Sequence, residues 1–185
     1  MKVNLPFYIY FVIGLFLFSA GFAYYERNNP IKEPFKADTA TLRSTSSGNV
    51  IGYTGDRGTY IWKGIPYAKA PNGLLRWRAP VAVQPPKEHG VIEAINSGPA
   101  CPQFASLLSG QADAPAGSIT GNEDCLYLNI YAPPNAENLP VMYWIHGGGN
   151  SIGQGVNYDV SNLAMQRDVV VVSINYRLGV IGWFT

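Results

Sequence analysis

Residues 139–149 read LPVMYWIHGGG, an uninterrupted apolar run that stops at a histidine and three glycines. A second run follows at residues 167–177, RDVVVVSINYR, and its segment 169–174 is apolar on both faces. Strands of this composition belong to sheets that helices cover on both sides. Between the two runs, YDVSNLAMQR (158–167) has a weak helical pattern with Asp159 or Ser161 as a possible N-cap. The sequence therefore predicts an α/β fold.

The chain before these strands divides into a leader, a linker and the beginning of the folded part. Residues 26–47 are polar and are interrupted by Pro30 and Pro34, so we expect a linker there. The folded part is predicted to occupy residues 48–185. Its first elements should be a short hairpin and two further strands, within NVIGYTG (49–55), GTYIWKGIPYA (58–68), GVIEAINSGPACPQ (90–103) and CLYLNIYAP (125–133).

Residues 1–25 are predicted to be a signal-anchor or a signal peptide. The stretch 5–25 is uncharged, mostly apolar and long enough to cross a bilayer as a helix. Its length favours an uncleaved anchor, whereas Gly21-Phe22-Ala23 has the small-x-small character of a cleavage site. Because Lys2 should stay in the cytoplasm, either interpretation places the domain outside it. The domain is then membrane-anchored, or secreted or periplasmic if the leader is cleaved.

Composition excludes some classes of function. The chain has a formal net charge of +1, and its 13 Lys and Arg residues form no dense run, so we expect no nucleic-acid partner. With two His and two Cys, no metal site of standard spacing can be assembled. Cys101 and Cys125 can pair in an oxidising compartment, where the closed loop would contribute about 3 kcal/mol to stability. Two free thiols are the alternative.

Three stretches resemble the amino-terminal third of the type-B carboxylesterases, a group that includes the cholinesterases. They are WKGIPYAKAPNGLLRWRAP (62–80), GNEDCLYLNIYAP (121–133), and PVMYWIHGGGN (140–150) with VVVVSINYRLGVIGWF (169–184). The resemblance covers residues 45–185 and implies the α/β-hydrolase fold, in which small antiparallel strands lead into a central, mostly parallel sheet. It also implies hydrolysis of a small carboxylic ester through an acyl-enzyme, without a cofactor.

The resemblance assigns the glycines after the apolar run to an oxyanion hole. In α/β-hydrolases a glycine loop supplies backbone N–H donors, and the nucleophilic serine lies on a separate strand-turn-helix elbow. The donors implied here are the amides of Gly148 and Gly149. Residues 149–153 also spell G-x-S-x-G, but Ser151 lies inside the same loop, so we expect this match to be a decoy.

The histidines are not expected to be the catalytic base. In α/β-hydrolases the catalytic histidine follows the serine and the acid along the chain. His146 precedes the glycines and is expected to pack against and orient the loop, and His89 is expected at the surface. The nucleophile, acid and histidine would all lie beyond Thr185, so a chain of residues 1–185 should be inactive by itself.

The resemblance also implies structural pairs. Cys101 and Cys125 match the first disulfide of the family, and Arg76 and Glu123 match a buried salt bridge. Loss of one partner of a buried pair would cost about 3 to 5 kcal/mol. Arg177 resembles a structural arginine whose acidic partner would also lie beyond residue 185.

Two features depart from the family and one alternative stays open. Asn150 stands where an aromatic residue is usual, and the segment between the two cysteines contains no tryptophan for recognition of choline. The alternative function is a non-catalytic, cholinesterase-like adhesion or interaction domain, which would keep the scaffold and lose the serine. The sequence gives no oligomeric state.

Overall fold

A computed structural model describes residues 34–86 and 90–183. The chain divides into two units, Met1–Pro34 and Phe35–Thr185, and the following account concerns the second. The predicted membrane segment 5–25 and His89 lie outside the described residues. Among the helices of the described part, none has the length and apolar character needed to cross a bilayer.

Within the described residues the chain forms ten strands and two short helices. The helices are α1 (Ser161–Arg167) and α2 (Gly179–Trp183), and 3-10 turns occur at Thr39–Thr41, Gly73–Leu75 and Gly155–Asn157. The strands are β1 (Arg43–Thr45), β2 (Gly48–Ile51), β3 (Tyr53–Thr54), β4 (Tyr60–Pro66), β5 (Val91–Glu93), β6 (Gln103–Phe104), β7 (Ile119–Thr120), β8 (Tyr127–Ala132), β9 (Val141–Ile145) and β10 (Val170–Ile174).

The main sheet has five strands in the order β3-β4-β8-β10-β9. Strands β9 and β10 are parallel, because α1 carries the chain back across the sheet between them. The other pairs, β3–β4, β4–β8 and β8–β10, are antiparallel. The sheet of this part of the chain is therefore mixed, and the expectation of a mostly parallel sheet is not met among the described residues.

Different elements cover the two faces of this sheet. On one face, α1 contributes Ala164 to a core with Tyr131 and Val171. On the other face, Trp62 and Ala132 pack with Val50 of a small sheet in the order β1-β2-β5. Among the described residues a helix therefore covers one face, and the first short strands of the domain cover part of the other.

The apolar run of β9 is exposed. Its residues Val141–Ile145 retain between 41% and 63% of their accessible surface, although their composition predicts burial. The reason is position: among the described residues β9 is an edge strand that pairs with β10 alone, and the core under α1 is formed with β8 and β10 and includes no residue of β9.

The folded unit begins earlier than the sequence predicts. Phe35 stacks on Tyr53 with ring centroids 4.0 Å apart, and Asp38 caps the turn Thr39–Thr41 by accepting a hydrogen bond from the amide of Ala40. Strand β1 then pairs with β2. Residues 35–47 are therefore part of the fold and not a linker, because their serines, threonines and Asp38 serve a turn and an edge strand.

Helix α1 begins as the sequence predicts, although neither predicted residue is its N-cap. Val160 occupies the N-cap position and provides no side-chain cap. The carboxylate of Asp159 accepts a hydrogen bond of 2.9 Å from the amide of Ser161, the first helical residue. Asp159 therefore satisfies a free amide of the first turn from one position further upstream.

Candidate active site

The candidate site is the segment between β9 and the 3-10 turn at Gly155–Asn157. We call residues 146–153 the glycine loop. The loop leaves the carboxyl end of β9, next to the carboxyl end of its parallel neighbour β10. A cavity of about 250 Å³ adjoins it, lined by Leu108, His146, Gly147, Gly148, Ile152, Gly153, Gln154, Asn157 and Tyr158. The site therefore lies at the edge of the sheet where ligands bind in many α/β proteins.

His146 is held inside the loop by its neighbours. It is 3% exposed, and its ring stacks on Tyr176 with centroids 4.4 Å apart. The hydroxyl of Tyr176 donates a 2.6 Å hydrogen bond to the carbonyl oxygen of His146. The histidine is thus fixed both through its ring and through its backbone.

The hydrogen bonds of His146 define its protonation state. Its Nδ1 lies 2.8 Å from the carbonyl oxygen of Gly147, which can only accept, so Nδ1 carries the proton. Burial lowers the pKa of His146, and the hydrogen bond to Gly147 opposes this effect only in part. Nε2 is buried with no hydrogen-bond partner among the described residues. His146 is therefore a neutral ring that donates from Nδ1.

The hydrogen bond between His146 and Gly147 also orients the backbone amide of Gly148. The peptide bonds of the described chain are trans, so the C=O and N–H groups of one peptide point in opposite directions. The carbonyl of Gly147 is turned towards the His146 ring, and the N–H of Gly148, in the same peptide, points away from it. The histidine thus sets the direction of a backbone donor that it does not contact.

The backbone amide of Gly149 is oriented in the same way, by a carbonyl that is held in place. The carbonyl oxygen of Gly148 accepts hydrogen bonds of 3.1 Å from the amides of both Ser151 and Ile152. The N–H of Gly149 belongs to the same peptide as that carbonyl and so points away from residues 151 and 152. Two consecutive amides are therefore held by anchored carbonyls.

The conformation of Gly148 requires glycine. Its φ is +119°, and a side-chain carbon there would overlap the carbonyl oxygen of Ile152. Gly149 has a φ of +60° but faces open space. Glycine at 148 thus permits the tight turn, and glycine at 149 leaves the approach to its own amide open.

The amides of Gly148 and Gly149 are available to a ligand. Both residues are exposed, and neither amide donates to an acceptor within residues 34–86 and 90–183. Fixed backbone N–H donors of this kind can bind an oxygen that carries or develops negative charge. The loop therefore has the chemistry of an anion or oxyanion site.

Ser151 has a structural contact and no catalytic partner in the described residues. Its hydroxyl donates to the carbonyl oxygen of Gly149 at 3.2 Å, and its amide donates to the carbonyl oxygen of Gly148 at 3.1 Å. Neither ring nitrogen of His146 bonds to a serine, because Nδ1 is directed to Gly147 and Nε2 has no partner. Ser151 is followed by a bend and a short 3-10 turn, not by the helix that an elbow requires.

The two cysteines predicted to pair form a disulfide. Cys101 and Cys125 are each 1% exposed and pack with Leu126 and Leu178, close to the carboxyl end of β10. The bridge closes the segment 101–125, which contains β6 and β7. We call this segment the disulfide loop.

Arg76 and Glu123 form an ion pair that is less buried than the sequence predicts. The guanidinium donates to both carboxylate oxygens at 2.6 and 2.5 Å, while the side chains are 44% and 21% exposed. The hydrogen bond from Arg76 lowers the pKa of Glu123, and the same bond raises the pKa of Arg76. Because water reaches the pair, its loss should cost much less than that of a buried pair.

Two further predicted positions, Asn150 and Arg177, make hydrogen bonds in the described structure. Asn150 is exposed with a φ of +57°, a conformation that asparagine tolerates better than most residues, and its carbonyl accepts from the amide of Gly179 at 2.7 Å. Arg177 donates to the carbonyl oxygen of Arg78 at 3.1 Å.

Sequence reasoning missed three polar residues that hold the loop region, of which Tyr176 is partly buried and the other two are buried. Besides Tyr176, these are Gln103, which bonds to Gly153, and Asn175, which accepts from the amide of Gly155 at 2.8 Å and donates to Pro99 at 3.0 Å. A single buried amide side chain leaves no periodic pattern in a sequence. The available signal was position alone: Gln103 follows a half-cystine closely, and Asn175 directly follows β10.

Other parts of the described structure offer less chemistry. A larger cavity of about 440 Å³ lies on the face covered by β1 and β2. It is lined mainly by apolar residues such as Trp62 and Ile130, with Arg43 and three serine or threonine side chains, and it includes no residue of the glycine loop. In residues 34–86 and 90–183 no three His, Cys, Asp or Glu side chains are grouped so as to hold a metal ion. The glycine loop is therefore the candidate site.

Comparison with known proteins shows the family of the chain and agrees with its fold. The model of the carboxylesterase family matches residues 39–185. The chain is 45% identical over 150 residues to para-nitrobenzyl esterase of Bacillus subtilis (strain 168), and 42% identical over 155 residues to cocaine esterase of Oryctolagus cuniculus. Each alignment covers 78% of this chain and 29% of the relative.

Solved structures give the same result. The described fold superposes on a thermophilic PNB esterase with a TM-score of 0.69 and 44% identity, over 80% of this chain and 30% of that one. A carboxylesterase of Geobacillus stearothermophilus gives a TM-score of 0.63 at 40% identity, with 77% and 27% coverage. The chain thus spans less than a third of the length of the relatives that it matches.

Proposed function

The chain belongs to the carboxylesterase family, and we propose that it is the amino-terminal part of a serine hydrolase that cleaves small carboxylic esters. The curated relatives are named as ester hydrolases, and the chain aligns with 29% of their length. The activity is therefore proposed for the complete protein.

The observation that carries the proposal is the pair of free, oriented amides at Gly148 and Gly149. When a serine attacks an ester carbonyl, the carbonyl oxygen gains negative charge, and fixed N–H donors stabilise that charge in the transition state. The carbonyls of Gly147 and Gly148 are anchored, so the donors need little reorganisation when charge develops. We assign Gly148 and Gly149 to the oxyanion hole.

The serine nucleophile, its acid and its histidine are proposed to lie in the sequence of the complete protein that would follow Thr185. The described residues support this placement, since Ser151 and His146 are directed to backbone carbonyls and not to each other. In the complete enzyme the serine would form an acyl-enzyme that water then hydrolyses.

The experiment compares two proteins with short p-nitrophenyl esters. The chain of residues 1–185 should release p-nitrophenol no faster than a heat-treated sample, whereas the complete protein should turn over and should be inactivated by a fluorophosphonate. Turnover by the 185-residue chain with fluorophosphonate attached to Ser151 would overturn the placement of the nucleophile. An inactive complete protein that takes up no label would favour the adhesion domain.

We also propose that the domain lies outside the cytoplasm, either tethered by residues 5–25 or released after cleavage near Gly21-Phe22-Ala23. The proposal rests on the uncharged apolar stretch and on the buried disulfide, which persists in oxidising compartments. Amino-terminal sequencing of the protein from its native membrane or medium distinguishes the two forms. A protein that remains in the cytosol with reduced cysteines would contradict both.

A further inference from the structure

We propose that Gln103 is a positioning residue that fixes the shape of the glycine loop and couples it to the disulfide loop. Its role in catalysis rests on the proposed function, whereas the coupling itself follows from the contacts of one buried side chain.

Gln103 is a buried amide whose bonding capacity is directed at two backbone segments. It is 5% exposed, and its Nε2 donates to the carbonyl oxygens of Cys101 and Gly153, each at 3.0 Å. Its Oε1 accepts from the amide of Gly153 at 2.6 Å. The three bonds fix the orientation of the amide, because two carbonyl oxygens require its NH₂ group and one N–H requires its oxygen.

Gly153 transmits this hold to the group that orients the first donor. Its φ is +116°, and a side-chain carbon at this position would lie 2.5 Å from Nδ1 of His146 and 2.7 Å from the carbonyl oxygen of Gly147. The backbone of Gly153 thus packs directly against the hydrogen bond that turns the amide of Gly148 outward. Gln103 holds Gly153 in this position through hydrogen bonds to both the N–H and the C=O of Gly153.

The other end of the connection is anchored in the core. Cys101, whose carbonyl accepts from Gln103, is bonded to Cys125 and is 1% exposed. The path therefore runs from the disulfide through Gln103 to Gly153 and then to His146. A movement of the disulfide loop would have to break buried hydrogen bonds or carry the glycine loop with it.

The first test measures hydrogen exchange in the 185-residue chain, comparing wild type with Gln103→Met, which keeps the volume and removes all three bonds. We expect the amides of Ser151 and Ile152, which close the turn onto Gly148, to exchange about tenfold faster, as for the loss of one or two hydrogen bonds. The amides of β8 and β10 should be unchanged.

The matched control is Gln111→Met in the same disulfide loop. Gln111 is partly buried, but its amide bonds to Gly110 and Thr120 and not to the glycine loop. This variant should leave exchange at residues 151 and 152 as in wild type. Acceleration at Gly153 alone, equal acceleration of the strand amides, or the same change in both variants would overturn the proposal.

If Gln103→Met does not fold, hydrogen exchange in the unmutated chain provides the test of the coupling. Under the proposal, Ser151, Ile152 and Gly153 open as one unit, so their protection factors should agree within about threefold. Exchange at residues 151 and 152 that is far faster than at Gly153 would contradict the coupling.

Activity of the complete protein tests the catalytic role. Gln103→Met should lower kcat about tenfold through misplaced donors, while KM changes by less than about twofold, because the loss falls on the transition state. A change in KM alone would overturn the positioning role. An inactive complete wild type would contradict the proposed function and leave the exchange result to decide the coupling.

Discussion

Two anchored carbonyls decide where the free amides of the glycine loop point. His146 holds the carbonyl of Gly147, and the amides of Ser151 and Ile152 hold that of Gly148. Each of these peptides then presents its N–H in the opposite direction. The residue that resembles a nucleophile by its motif, Ser151, thus helps to build the donor geometry.

Alanine at position 149 tests the donor directly, with Gly58→Ala as the matched control. Both glycines have left-handed φ values, +60° and +75°, and open space around the added carbon, so the backbone cost should be the same. Alanine keeps the backbone N–H, but its methyl group would obstruct the open approach to that amide. In the complete protein Gly149→Ala should therefore lower kcat by about 10² to 10³, the usual cost of losing one oxyanion donor.

The kinetic comparison needs kcat for both variants and their melting temperatures. Gly58 lies in the turn between β3 and β4, so Gly58→Ala should retain wild-type kcat with a similar loss of stability. Equal activity of the two variants would remove Gly149 from the site.

Protonation of His146 should make the fold sensitive to mild acid. Burial lowers its pKa below the ordinary 6.5, so the unfolded chain binds this proton more readily than the folded one. The contribution of neutral His146 to the free energy of unfolding is complete above pH 6.5. It is lost as the pH falls through the lowered pKa of the folded state. His146→Gln should therefore lose less stability than wild type between about pH 7.5 and 5.

Urea unfolding at the two pH values checks this expectation. The carboxylates with lowered pKa, such as Asp38 and Glu123, lose their contribution only below their ordinary values of 3.8 and 4.5, in a separate pH range. His89 is present in both proteins and contributes equally. The same loss in wild type and His146→Gln would show that His146 does not titrate in this range.

The sequence predicted the residues with a family pattern and missed those with a purely spatial role. Gly148, Gly149 and the two cysteines belong to recognisable motifs, whereas Gln103 acts through Gly153, a residue 50 positions further along the chain. The exposure of Arg76 could not be predicted either, because the burial of a salt bridge depends on what packs over it.

Among the elements, helix α1 closes the parallel crossover and depends on Asp159. Its carboxylate accepts from the amide of Ser161. The side chain of Ser161 is the largest cause of the lowered pKa of Asp159, and the amide bond lowers it further. Asp159→Ala should reduce the free energy of unfolding by about 1 kcal/mol, the typical value of a lost cap. Asp159→Asn keeps the acceptor and should recover most of that loss.

Chemical denaturation of the three proteins at neutral pH measures this difference. An Asn variant as unstable as the Ala variant would assign the effect to charge, since Lys63 and Arg57 also lower the pKa of Asp159.

The positions of the strands could be predicted from composition, whereas their burial could not. Strands β8, β9 and β10 lie where apolar runs predicted them, because such runs form strands whether or not they are covered. Burial on both faces requires partners that the same runs cannot specify. The early start of the fold at Phe35 was missed because its contact with Tyr53 joins residues from different segments.

At the scale of the molecule, β9 forms an edge of the described sheet that is open to association. Its backbone pairs with one neighbour in the described residues, and its apolar side chains are exposed. Edges of this kind template pairing with other chains. The 185-residue chain should therefore self-associate, and Tyr143→Lys, at a residue that is 57% exposed, should increase the monomer fraction.

Size-exclusion chromatography with light scattering measures the monomer fraction. Tyr60→Lys is the comparison, because Tyr60 is a partly buried tyrosine of the interior strand β4 and its replacement offers no protection to the edge. A chain that is fully monomeric without substitution would contradict the expectation.

The measurement that tests the central claim most directly is identification of the labelled serine in the complete protein. The complete protein is treated with a fluorophosphonate during ester turnover, and the modified peptide is mapped by mass spectrometry. We predict one label on a serine that lies beyond Thr185, with Ser151 unmodified and the label lost on prior inactivation. A label on Ser151, or turnover without any labelled serine, would contradict the assignment of the glycine loop as the oxyanion hole of a serine esterase.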